Sequence, residues 1–161
     1  MMNIKKILLS TLLFGYLSLN AASVTNNFNV TANVPKVCII TTSPSDIDFG
    51  NYDVFSSTEL TSSTNFGIKC TKDTSFTITI DKTTGSTERS MEDGNGNSIS
   101  YILKNAADGT TWGNTGGGND VTGNSSSSLI EETYTINGTI QINQNVPSGS
   151  YSQTNTLNVV Y

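Results

Sequence analysis

The stretch Thr133-Tyr134-Thr135-Ile136-Asn137-Gly138-Thr139-Ile140-Gln141-Ile142 places an apolar residue at almost every second position. A period of two puts Tyr134, Ile136, Ile140 and Ile142 on one face of a β-strand and leaves the threonines, Asn137 and Gln141 on the other. Gly138 stands where a further inward side chain belongs, and a glycine there marks a bulge or a close backbone approach. The same alternation recurs in Phe66, Ile68 and Cys70, in Phe76, Ile78 and Ile80, and in Ile99, Tyr101 and Leu103. Between these runs, residues 93–97, 113–119 and 123–125 have turn or loop composition, and no stretch carries a helical stripe with caps. The expected architecture is an all-β sandwich.

The chain of 161 residues has room for one core. Charged residues make up 13%, against a typical share of about 25%, so the surface is polar but weakly charged. There is no histidine, which removes Ser-His-Asp and Cys-His arrangements and most catalytic zinc sites. No enzyme, metal or cofactor is expected.

Lys5 and Lys6 precede an apolar run from Ile7 to Leu17, followed by the small residues Ala21, Ala22 and Ser23. This reads as a secretory signal peptide over residues 1–22. The run is about half the roughly twenty residues of a spanning helix, so no membrane span is expected after cleavage. The mature chain then carries six Lys and Arg against 13 Asp and Glu, a net of −7, which does not suit nucleic acid. Export makes Cys38 and Cys70, the two cysteines of the sequence, readable as one structural disulfide.

Two segments stand apart from the body. Val24, Phe28, Val30, Ala32 and Val34 share one face of an expected N-terminal strand, with Asn27, Asn29, Thr31 and Asn33 on the other. Val34-Pro35-Lys36-Val37 then lacks the Asn-Gly or Gly-X chemistry of a tight hairpin, so this strand need not pair with its own neighbour. At the other end Leu157, Val159 and Tyr161 alternate with Thr156, Asn158 and Val160, so that the chain stops inside its last strand. The N-terminal strand is either an ordinary edge strand or one meant for another molecule.

Other motifs are weaker. Asp93, Asn95 and Asn97 begin like a calcium loop, but the sixth position is Ser98 and the twelfth Lys104. Glu131-Glu132 reads as a solvated edge. Trp112, with Tyr101, is a candidate surface contact for sugars.

In its ordered landmarks the chain resembles the spore coat protein U domain family, which includes subunits of archaic chaperone-usher pili. The residues carrying the likeness are Cys38, Ile47-Asp48-Phe49-Gly50-Asn51-Tyr52, Ile68-Lys69-Cys70, Arg89-Ser90-Met91 before Ile99-Ser100-Tyr101-Ile102-Leu103, and Thr111-Trp112-Gly113. Further along come Asn137-Gly138-Thr139-Ile140, Val146-Pro147-Ser148-Gly149-Ser150-Tyr151 and the aromatic Tyr161. The resemblance implies an incomplete immunoglobulin-like sandwich over residues 37–161, completed by donor-strand exchange, with residues 23–36 as donor strand and linker. The donor side chains would be Phe28, Val30, Ala32 and Val34; Ile140, Ile142, Leu157, Val159 and Tyr161 are the groove and core candidates. Implied partners are identical or related pilin subunits, a periplasmic chaperone and an outer-membrane usher, with passage through the periplasm to a surface pilus. The alternatives are a secreted spore-coat or matrix protein and a carbohydrate-binding adhesin.

Overall fold

The computed structural model describes residues 21–81, 88–113 and 120–161. The expected signal peptide falls outside them except for its last two residues, as do positions 114–119 of the glycine-rich loop.

The chain divides into two compact units, Met1–Asn33 and Val34–Tyr161. In the first, residues 21–33 carry no strand, and Val24, Phe28 and Val30 are exposed. Amphipathic alternation alone does not make a strand, because the backbone N–H and C=O groups also need a partner edge.

Among its described residues the second unit holds eight strands: β1 (Cys38–Thr42), β2 (Leu60–Cys70), β3 (Ser75–Ile80), β4 (Arg89–Glu92), β5 (Ser98–Asn105), β6 (Val121–Asn124), β7 (Glu132–Ile140) and β8 (Leu157–Val160). They form a five-stranded sheet, order β1-β2-β7-β5-β4, and a three-stranded sheet, order β6-β3-β8, with every pairing antiparallel. Among the described residues there is no helix, and none long and apolar enough to cross a membrane. The all-β expectation holds. Two strands were not foreseen: β4, where no alternation marks Arg89–Glu92, and β6, which includes Gly123 and Asn124 of loop composition and forms because pairing with β3 overrides that local preference.

The opening stretch is the middle of the larger sheet. β7 pairs with β2 from Ile68↔Glu132 to Leu60↔Ile140 and with β5 on its other side, with unbroken register through Gly138. A Cβ at 138 would lie 2.7 Å from Phe49 Cζ and 3.3 Å from Ile47 Cγ2. Of the two meanings a strand glycine can have, this is the close approach.

Phe66, Ile68, Ile78, Trp112 and Ile140 are the largest fully buried apolar side chains of a core in which Phe66 stacks on Tyr134 at 5.4 Å. Each is worth about 1.5–3 kcal/mol when removed from water. Cys38 and Cys70 face each other across the β1–β2 ladder and are joined by the expected disulfide. Just before Cys38, Thr71 clasps the chain: its N–H donates to the Val37 carbonyl (2.9 Å), and its hydroxyl donates to the Pro35 carbonyl and accepts from the Val37 N–H, both at 3.1 Å. Glu131 is not merely solvated: its carboxylate crosses Gly67, where any side chain would collide with it, and accepts from the Thr41 hydroxyl beside an irregularity in β1.

Candidate functional site

The two sheets are unequal, and β8 is hydrogen-bonded only to β3 among the described strands. Beside its start a cleft of about 470 Å³ reaches into the sandwich. The cleft is lined by the segment following β1 (Pro44, Ser45, Asp46, Ile47, Phe49), by the segment leading into β8 (Tyr151 to Asn155) and by Leu157. Thr64, Ile80, Met91, Tyr101, Leu103 and Ile136 complete it from the strands, so core side chains of both sheets border the opening. A second cleft of about 690 Å³ shares Ile47, Phe49, Met91 and Tyr151 with the first and continues past Ile99 and Ile140.

Both loop segments are anchored. Ser45 donates from its N–H to Thr64 Oγ1 at 3.0 Å. Tyr52 donates its hydroxyl to the Gln141 carbonyl (3.0 Å) and accepts from the Gln144 N–H (3.1 Å), while Phe49 meets Tyr101 edge-on at 6.3 Å. On the other segment, Glu92 and Ser152 exchange two backbone hydrogen bonds at 3.0 and 3.1 Å. Arg89 is buried, and its guanidinium donates to the carbonyls of Ile80, Asp81 and Trp112 and to Asn155 Oδ1. Burial lowers its pKa, opposed by Tyr101 and Asp81, and burial raises that of Tyr101, opposed by the Asn155 hydrogen bond and by Arg89.

Among the residues singled out in the sequence, Ile140 is buried, and Leu157 and Val159 are half-buried against the core. Ile142 and Tyr161 lie beyond the ends of β7 and β8: Ile142 is half-exposed, and Tyr161 is 55% exposed and outside the core. The alternation runs on past the last rung of each ladder, and burial does not follow it. Trp112 corrects the surface-contact expectation. Its relative exposure is 0%, its ring packs on Phe66 at 6.2 Å, and its backbone N–H donates to the Leu103 carbonyl at 2.8 Å. Phe28, Val30, Ala32 and Val34 are all exposed, with Phe28 and Val30 at 85%.

Two residues that line the cleft, Asn155 and Phe49, and Arg89, which bonds Asn155 from behind it, had no role assigned from the sequence. The one local signal was for Phe49, since Gly138 asks for a bulky neighbour without saying which.

The sequence matches the Spore Coat Protein U domain family over residues 24–158. No curated protein matches it significantly. Among solved structures, the chain is similar to one in the CsuC-CsuE chaperone-tip adhesion subunit pre-assembly complex from archaic chaperone-usher Csu pili of Acinetobacter baumannii, with a TM-score of 0.55 and 20% identity. The match covers 80% of this chain and 40% of that one, so this chain spans less than half the length of its structural neighbour. At that identity the likeness is one of fold.

Proposed function

This chain belongs to the Spore Coat Protein U domain family, and from that premise we propose that it is a structural subunit of a surface pilus of the chaperone-usher type. Copies join head to tail, the arm of one (residues 24–34) entering the cleft of the next. The observation that carries the reading is that one chain holds two complementary deficits. It has an alternating apolar arm with no ladder, and a cleft that opens the core beside a strand bonded on one flank. Strand addition to an exposed sheet edge, of which chaperone–pilin complementation is a known instance, satisfies both, with main-chain hydrogen bonds supplying affinity and alternate side chains supplying register.

Burial of Phe28, Val30 and Val34, with a smaller share from Ala32, would contribute roughly 5–10 kcal/mol in sum before ordering costs. A slip of one residue would drive Asn29, Thr31 and Asn33 into the apolar cleft. Because arm and cleft are different surfaces, the contact is heterologous and does not close on itself, which makes a fibre. A periplasmic chaperone would cover the cleft during export and an outer-membrane usher would pass subunits to the surface. The adhesin alternative loses its platform, since Trp112 is buried.

The test is the state of the purified protein. Surface fibres should give a ladder of oligomers in detergent without boiling, and Phe28→Asp with Val30→Asp should leave monomers. A ladder that survives this double change would end the proposal, and extraction of wild-type monomers from an envelope without fibres would favour the coat-protein alternative.

A further inference from the structure

The segment that leads into β8 is bolted to the edge of the five-stranded sheet. Arg89, on β4, reaches out of its own sheet: Nη2 donates to the Ile80 carbonyl at 2.9 Å and the Trp112 carbonyl at 3.1 Å, and Nη1 donates to the Asp81 carbonyl and, at 2.8 Å, to Asn155 Oδ1. Asn155 passes the connection on, since its Nδ2 donates to the Tyr101 hydroxyl on β5 at 2.7 Å. Asp81, the residue after β3, closes the circuit, with its N–H on the Thr156 carbonyl at 2.8 Å and its carboxylate accepting from Asn158 Nδ2, also at 2.8 Å.

Tyr101, Asn155, Ile80 and Leu157 line the 470 Å³ cleft, and Arg89 does not. Arg89 therefore acts on the cleft through its partners. β8 itself is short, four residues paired with β3 alone among the described strands, so beyond the Glu92–Ser152 pair and the Asp81 contacts its cleft-side start is fixed through Asn155.

The geometry points to Arg89, Asn155 and Tyr101 as a latch, a set of positioning residues that keeps residues 152–155 and the start of β8 in place before a donor arm arrives. This rests on the donor-strand reading above. With the latch closed the arm meets a formed site, whereas with it open the arm must order that wall as it enters, and the ordering cost falls on association. Four donations from one buried guanidinium suit the task because each acceptor is a carbonyl or amide oxygen on a different residue, so one planar group fixes four positions.

The experiment uses the chain from Ser23 with Phe28→Asp and Val30→Asp, so that its own arm cannot fill a neighbour, and a fluorescent peptide of residues 23–34 as the donor. Association and dissociation rates are measured separately. Asn155→Ala and Arg89→Met should slow peptide entry by about tenfold or more and leave exit unchanged. Tyr101→Phe, which removes only the hydroxyl, should slow entry in the same sense and serves even where Arg89→Met does not fold. Entry at the parental rate in Asn155→Ala and Tyr101→Phe would overturn the latch, as would a loss expressed only as faster exit, the mark of a generally weakened cleft. No uptake by the parent would remove the donor-strand reading and the latch with it; uptake by the parent that no variant alters removes the latch alone.

Discussion

Residues 24–34 and β7 carry the same pattern and have opposite fates. Both alternate apolar and polar side chains, and both have one small residue within the apolar series, Ala32 in the arm and Gly138 in the strand. β7 is paired on both flanks and buries Ile136 and Ile140, while the arm has no ladder and leaves Phe28 and Val30 85% exposed. Period two says which side chains could be buried together. A neighbouring edge decides whether they are.

The sharpest way to break this comparison is to place the same charge in both. Ile136→Asp buries an unpaired carboxylate and should cost more than about 4 kcal/mol, enough to abolish the cooperative unfolding transition. Val30→Asp should change the monomer's unfolding free energy, read by urea denaturation, by less than about 0.5 kcal/mol while preventing assembly. A monomer destabilised equally by both would mean that the arm is already part of its own sandwich.

Cutting the cross-link between β1 and β2 comes next. Replacing Cys38 and Cys70 together by Ser opens a loop of 32-residue separation and should cost roughly 3.5 kcal/mol on the chain-entropy account, read by urea denaturation. The loss should be the same with and without the arm's apolar side chains.

The two small residues sharpen the contrast further. Gly138→Ala forces Phe49 to shift and should destabilise the monomer by about 1–3 kcal/mol, whereas Ala32→Val should leave the monomer unchanged and act only on assembly.

The smallest effect concerns pH. Tyr134, on β7, has its pKa pushed up to about 12 by burial, aided by Glu132, from an ordinary 10.0. The native state keeps this proton where the unfolded state gives it up, so its contribution is fully present below pH 10 and is lost as pH rises towards 12. The urea midpoint should therefore fall over that range, and less steeply in Tyr134→Phe. The arm, residues 24–34, has no titratable side chain and should contribute nothing to this slope.

The same contrast explains what was legible in the sequence. Phe66, Ile68, Phe76, Ile78, Tyr101, Leu103 and Ile136 could be assigned to a core because each sits in a repeated local pattern, and burial follows it. Trp112 has no such pattern around it; the ring packed on it is that of Phe66, distant in sequence. Arg89 is the harder case. A guanidinium is ordinarily a surface group, and its burial depends on carbonyls supplied by residues 80, 81 and 112, a coincidence of strand ends that no spacing encodes. Ile142 and Tyr161 are not buried with the rest, since alternation continues where the ladders stop.

The clasp at Thr71 and the bond between Cys38 and Cys70 also set a path for mechanical load. Tension applied to residues before Val34 passes first to Thr71 and then, through sulfur, into β2, whose eleven residues are flanked by β1 and β7. Shear does not have to travel along the rungs of the short β1. If copies join as proposed, a pulled filament should yield at the seat of the arm in its neighbour while the arm's root stays fast.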